Sequence, residues 1–93
     1  MPKILLVEDD QQLAEKIATA LKFDHYQVEV MHNGDDALDL LRKFAFDLII
    51  LDWNLPEMDG VDILRAYRDW GGATPIIMLT GKQTNNDIAL ERI

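Results

Sequence analysis

Three short runs of consecutive apolar residues punctuate the chain: Ile4-Leu5-Leu6-Val7, Leu48-Ile49-Ile50-Leu51 and Ile76-Ile77-Met78-Leu79. None alternates with polar residues, which is the pattern of parallel strands buried on both faces. A fourth segment, Gln27-Val28-Glu29-Val30, does alternate and reads as a half-exposed strand at a sheet edge. Between the runs lie helical stripes: Leu13, Ile17, Ala20 and Leu21, then Ala37, Leu38 and Leu41. A third is formed by Val61, Leu64 and Tyr67 or by Ile63, Tyr67 and Trp70. Asn33-Gly34 signals a turn before the second helix, Gly71-Gly72 closes the third, and Thr84-Asn85-Asn86-Asp87 matches a capping box that opens a fourth. The order β-α-β-α-β-α-β-α predicts an α/β domain with a parallel sheet between helices. Right-handed crossovers make it doubly wound.

Length and composition narrow the function classes. At 93 residues the chain, residues 1–93, is read as one domain without room for a second module. A hydrophobic share of 48% and a charged share of 28% fit a globular protein and argue against disorder. The net charge of −8 argues against nucleic acid as a partner, because phosphate neutralisation needs clustered Lys and Arg. With no cysteine there is no disulfide, thiolate metal site or thiol nucleophile. The early apolar run is too short for a signal-peptide core and meets Glu8, Asp9 and Asp10 at once, so a cytoplasmic location without a membrane partner is expected.

In open parallel sheets ligands bind beyond the carboxyl ends of the strands. There the chain places Glu8-Asp9-Asp10 after the first run, Asp52 at the end of the second, and Thr80-Gly81 after the third. If the strands carrying Glu8, Asp9 and Asp52 are neighbours, the carboxylates meet. Two carboxylates at 4 Å repel by about 4 kcal/mol even at an effective dielectric of 20, so such a cluster calls for a divalent cation or for proton uptake. All-oxygen ligands select a hard cation, and Mg²⁺ suits an open site that also takes phosphate oxygens. Asp52 is the expected nucleophile toward phosphorus, Glu8 and Asp9 the metal ligands, and Thr80 with the Gly81 N–H the groups holding the remaining oxygens.

Simpler roles stand beside these. Asp9 or Asp10 fits a cap of the first helix and Asp59 a cap of the third. His25 and His32 flank the edge strand, away from the expected site, and read as surface histidines with no zinc-ligand spacing. Trp53 flanks the nucleophile, Trp70 is expected to pack on the third helix's apolar face, and Asp35, Asp36 and Asp39 form the acidic face of the second helix.

Lys3-Ile4-Leu5-Leu6-Val7-Glu8-Asp9-Asp10, the stretch from Asp47 through Asp52 to Gly60, and Pro75-Ile76-Ile77-Met78-Leu79-Thr80-Gly81 together resemble the receiver domain of two-component response regulators. The resemblance covers the whole chain, with three separated motifs in the right order. It implies a flavodoxin-like sheet ordered 2-1-3-4-5, Asp52 as the phosphorylated residue, and Glu8 and Asp9 as the acidic pair holding Mg²⁺. Asn54 would add its backbone carbonyl to the metal and contact the phosphoryl group, Thr80 would be the switch hydroxyl, and Gly81 would keep the pocket open. Leu55-Pro56 and Asp59-Gly60 would shape the loop into the third helix. The implied partner is a sensor histidine kinase or phosphotransfer protein, and the implied role is signalling rather than enzymatic.

Such a domain continues into a fifth strand carrying a phosphate-contacting lysine and an aromatic switch residue, then into a fifth helix. The sequence ends at Ile93, so the expectation is a C-terminally incomplete receiver, sheet order 2-1-3-4 with the fifth strand absent. Lys82 lies too near Thr80 to replace that lysine. The bare fourth strand would then be an association hazard, so the chain is expected to be either a piece of a longer regulator or an oligomer, such as a homodimer, that covers this edge. The alternatives are a phosphorylation-impaired interaction or oligomerisation module, and a haloacid-dehalogenase-like phosphatase, whose Asp-x-Asp pattern fails at Asn54. A dinucleotide-binding fold fails because no Gly-rich cradle stands where Glu8-Asp9-Asp10 do.

Overall fold

The computed structural model of the chain describes residues 1–79 and 90–92. Their elements are β1 (Lys3–Val7), α1 (Gln11–Phe23), β2 (Gln27–Met31), α2 (Gly34–Lys43), β3 (Leu48–Asp52), α3 (Gly60–Asp69), β4 (Ile76–Leu79) and β5 (Leu90–Arg92). The sheet order is β2-β1-β3-β4-β5, and β1 to β4 are parallel, as the apolar runs predict. The alternating segment, β2, is an edge.

The unbroken apolar runs of β1 and β3 feed two cores because successive strand side chains point to opposite faces. Leu5, Val7, Ile49 and Leu51 pack with Ala37, Leu41, Ile63 and Tyr67 under α2 and α3. Leu6 and Ile50 pack with Ala14, Ala18 and Ile17 under α1 on the other face. Here the expected α1 stripe is rotated: Ala14 and Ala18 are the buried residues, Leu13, Ile17 and Leu21 are half-buried, and Ala20 is exposed. Small side chains spaced one turn apart let the helix lie close on the sheet, so the larger residues wedge along its flanks.

Two further differences concern the ends of elements. Trp70 is the C-cap of α3 rather than part of its buried face; it is 40% exposed, with the Arg42 guanidinium 4.4 Å from its ring centroid. The indole offers the cation a π face at a site where burial would leave its N–H in need of a partner. Beyond β4, three residues expected in a fourth helix form instead the short strand β5, antiparallel to β4, pairing Ile77 with Arg92 and Leu79 with Leu90. The β4 edge expected to be bare is therefore paired over most of its length, satisfying backbone groups that an edge would expose. The capping box at Thr84 to Asp87 lies outside the described residues.

Helices α1 and α3 stop by the same backbone device with different residues. At the end of α3, the Gly71 N–H donates to the Arg68 carbonyl (2.9 Å) and the Gly72 N–H to the Tyr67 carbonyl (3.0 Å), with Gly71 at φ 89°. At the end of α1, the His25 N–H donates to the Lys22 carbonyl (2.9 Å) and the Tyr26 N–H to the Leu21 carbonyl (3.1 Å), with His25 at φ 72°. This is the Schellman arrangement, whose left-handed residue favours glycine. His25 holds that conformation against its own Cβ. The substitution His25→Gly is expected to stabilise the chain by about 1 kcal/mol, read from the midpoint of a urea unfolding curve, with no change in the sheet.

Candidate functional site

Register brings the acidic residues together. Val7 is opposite Leu51 in the β1–β3 pair, so Glu8, the next residue, emerges beside Asp52 at the end of β3. The Glu8 N–H donates to the Met31 carbonyl (3.0 Å), which carries the β1–β2 ladder one residue beyond β1. Glu8 and Asp52 are fully buried and Asp9 is half-buried. One carboxylate oxygen from each of Glu8, Asp9 and Asp52 lies within 4.8 Å of the other two. The three residues chosen from the sequence thus form a single cluster, at the strand ends where they were expected.

Local hydrogen bonds fix two of the three side chains. The Asp10 N–H donates to Glu8 Oε2 at 3.0 Å, folding the Glu8 side chain back over the turn. The Asn54 N–H donates to Asp52 Oδ1 at 3.2 Å, which locks the Asp52 rotamer from the loop that follows it. Asp10 itself is a helix cap: its Oδ1 accepts from the Leu13 N–H at 3.1 Å. The simpler reading therefore holds for Asp10. It holds also for Asp59, which with Asp62 forms the capping box of α3.

The β3–α3 loop is held against the sheet at close range. The Trp53 N–H donates to the Leu79 carbonyl and the Gly60 N–H to the Trp53 carbonyl, both at 2.9 Å. A Cβ on Gly60 would sit 2.4 Å from the Asp52 carbonyl oxygen, so only glycine lets α3 begin directly above the Asp52 backbone. Leu55 is buried, Pro56 is exposed, and Glu57 sits at φ 68° with the Met58 N–H donating across it to the Pro56 carbonyl at 2.7 Å. Such a three-residue turn is strained for a residue with a side chain.

Burial of two carboxylates against a third is electrostatically costly. At 4 Å each pair costs about 4 kcal/mol at an effective dielectric of 20. All donor atoms are carboxylate oxygens, which match a hard divalent cation rather than a soft metal. Thr80 and Gly81, expected on the opposite side of the site, lie outside the described residues, as does Lys82.

Sequence reasoning misplaced one residue. His32 was expected to lie away from the site, yet its Nδ1 is 2.9 Å from the Glu8 carbonyl oxygen. The signal was available only through register: β2 lies beside β1, and residue 32 directly follows Met31, the partner of Val7.

Residues 4–91 match the family model of the response regulator receiver domain. Response regulator MprA of Mycobacterium avium is 35% identical over 88% of this chain and 36% of its own length. The chain thus spans about a third of the length of the curated relatives it matches. Among solved structures, the chemotaxis response regulator CheY4 of Vibrio cholerae superposes with a TM-score of 0.84 at 35% identity, covering 90% of this chain and 72% of that one. Response regulator TrrA of Thermotoga maritima, solved in complex with Mg²⁺ and BeF, gives 0.83 at 29% identity over 89% of this chain and 72% of that one.

The contact at Gly60 is directly testable. Gly60→Ala must push α3 off the Asp52 carbonyl and is expected to cost about 2 kcal/mol, as overpacked core substitutions do. Urea unfolding measures the loss, and shifted amide resonances at Asp52 and Trp53 locate it.

Proposed function

The chain belongs to the response regulator receiver domain family, and on that premise we propose that it is a phosphoacceptor switch in which Asp52 takes a phosphoryl group beside Mg²⁺. The observation that carries this reading is the convergence of Glu8, Asp9 and Asp52 at adjacent strand ends, two of them fully buried. The cluster fits the ion: an all-oxygen donor set of like charge matches a hard divalent cation. Glu8, Asp9 and Asp52 would hold it, with the Asn54 carbonyl as a further oxygen ligand. Bound there, Mg²⁺ supplies positive charge for the phosphoryl oxygens.

The residues of the chain do the rest. The Asn54 N–H on Oδ1 and the in-register strand hold the Asp52 carboxylate in one orientation, so it meets phosphorus without reorganising. One Asp52 oxygen forms the bond to phosphorus while the bond from phosphorus to the donor's imidazole nitrogen breaks. The electron pair leaves with the imidazole, and the new acyl phosphate stays on the strand end. Thr80 and the Gly81 N–H are the groups proposed to hold the phosphoryl oxygens. The proposed donor is a phosphohistidine of a sensor histidine kinase or phosphotransfer protein, and the proposed setting is the cytoplasm. Among the described residues no helix is long and apolar enough to cross a membrane. The role is signalling, in keeping with relatives that are response regulators.

An expected homodimer through a bare β4 edge loses its premise, because β5 pairs with that edge.

Intact-mass spectrometry after incubation with acetyl phosphate and MgCl₂ tests the proposal. The expected result is an added mass of about 80 Da in the unaltered chain and none in Asp52→Asn. An adduct that persists in Asp52→Asn would move the acceptor elsewhere. A second expectation concerns stability: MgCl₂ at tenfold over its Kd should stabilise the chain by about 1.4 kcal/mol, and Asp9→Asn should reduce that gain. Thermal unfolding with and without the salt measures both.

A further inference from the structure

We infer that His32 is a positioning residue for the acidic pair, setting the orientation of the Glu8–Asp9 peptide through a hydrogen bond to the Glu8 carbonyl. The inference rests on the proposed Mg²⁺ site and adds to it a residue from a different strand.

The bond has a single possible direction. Its acceptor is a carbonyl oxygen, which cannot donate, so the His32 Nδ1 carries the proton and donates across 2.9 Å. This fixes the ring's tautomer when neutral and persists when the ring is charged, because both nitrogens then donate. The bond also completes an interrupted ladder. The Glu8 N–H already donates to the Met31 carbonyl, and a parallel ladder would next bring the N–H of residue 33 to the Glu8 carbonyl. No such bond is made by Asn33, which is the N-cap of α2, at φ −150° and ψ 165°, with its side chain accepting from the Asp36 N–H at 2.9 Å. The His32 ring supplies the donor in place of the departing backbone.

The consequence falls on the site. The Glu8 carbonyl and the Asp9 N–H belong to one rigid peptide plane, so holding the oxygen holds the direction in which Asp9 leaves the strand. Glu8 is held on its other side by the Asp10 N–H at Oε2. With both bonds in place, the turn carrying two of the three carboxylates cannot rotate about the strand axis. Without the His32 bond, the Glu8–Asp9 peptide loses the restraint on its carbonyl, one of the bonds that set where the half-buried Asp9 leaves the strand. The turn of β2 into α2 is itself anchored, since Gly34 packs so tightly that an added Cβ would lie 2.9 Å from both Ile63 Cδ1 and Met58 Sδ. His32 therefore projects from a fixed point on the scaffold toward the strand end.

The test uses the whole chain and Mg²⁺ alone, titrated while the Asp9 amide and the Trp53 indole N–H are followed by NMR, so no phosphorylation is needed. Side-chain amides separate a positioning role from mere bulk. An Asn amide nitrogen occupies the place of the imidazole Nδ1, whereas a Gln amide reaches the place of Nε2 and misses the carbonyl. His32→Ala and His32→Gln are expected to weaken Mg²⁺ binding by about tenfold, the scale of lost outer-sphere support at metal sites, and His32→Asn to restore it to within about twofold. Unfolding midpoints of all three variants check that the fold is kept. Equal Mg²⁺ affinity in the unaltered chain and His32→Ala overturns the inference and leaves the Mg²⁺ site standing. Loss in His32→Asn equal to that in His32→Gln also overturns it. An unaltered chain that binds no Mg²⁺ removes the proposed site itself, and the inference falls with it.

Discussion

Pairing of Val7 with Leu51 sets the place of every charge at the site. Strand side chains alternate between faces with a period of two, so a slip of one residue in β1 against β3 would send Leu6 to the face of Leu5 and carry Glu8 away from Asp52. Apolar side chains on both faces of β1 and β3 make such a slip costly, because each strand is buried from both sides. The hydrophobic core therefore acts on the chemistry directly. It brings two buried carboxylates into one another's field by sheet register.

The loops then turn proximity into orientation. Backbone N–H groups of Asp10 and Asn54 each take one oxygen of a buried carboxylate, and both belong to residues just past a strand end. Asp10 also caps α1 through its side chain, so one residue starts a helix and steadies Glu8. The same economy recurs above Asp52, where Gly60 begins α3 against the strand's own carbonyl. Strain is confined to this pole and to one helix end: Glu57 and His25 are the non-glycine residues with positive φ among the described residues.

How much of this was legible in the sequence depended on whether a feature is local. The apolar runs at Ile4 to Val7, Leu48 to Leu51 and Ile76 to Leu79 announced buried parallel strands, and Glu8, Asp9 and Asp52 followed because strand ends are where such sheets bind. The alternation of Gln27 to Val30 placed the edge correctly. Other features needed three dimensions. Ala14 and Ala18 are too small to dominate a hydrophobic stripe, yet they make the closest approach of α1 to the sheet. The pairing of Leu90 to Arg92 with β4 is a long-range contact that no local pattern in those three residues announces. The role of His32 required knowing both that β2 lies beside β1 and in which register, and no spacing within one segment encodes that.

The repulsion among the three carboxylates also bears on the stability of the whole domain. Small domains are stable by about 5–15 kcal/mol, and a single carboxylate pair at 4 Å costs about 4 kcal/mol at an effective dielectric of 20. Repulsion on that scale is comparable to the net stability of a small domain, although small beside the gross contribution of its core. Neither strand can relieve the conflict by shifting, for the register that creates it is the register that buries Leu5, Leu6, Val7, Ile49 and Leu51. A cation at the cluster offsets that repulsion without disturbing the register. A ligand of positive charge that binds this cluster in the folded chain therefore stabilises the fold by mass action.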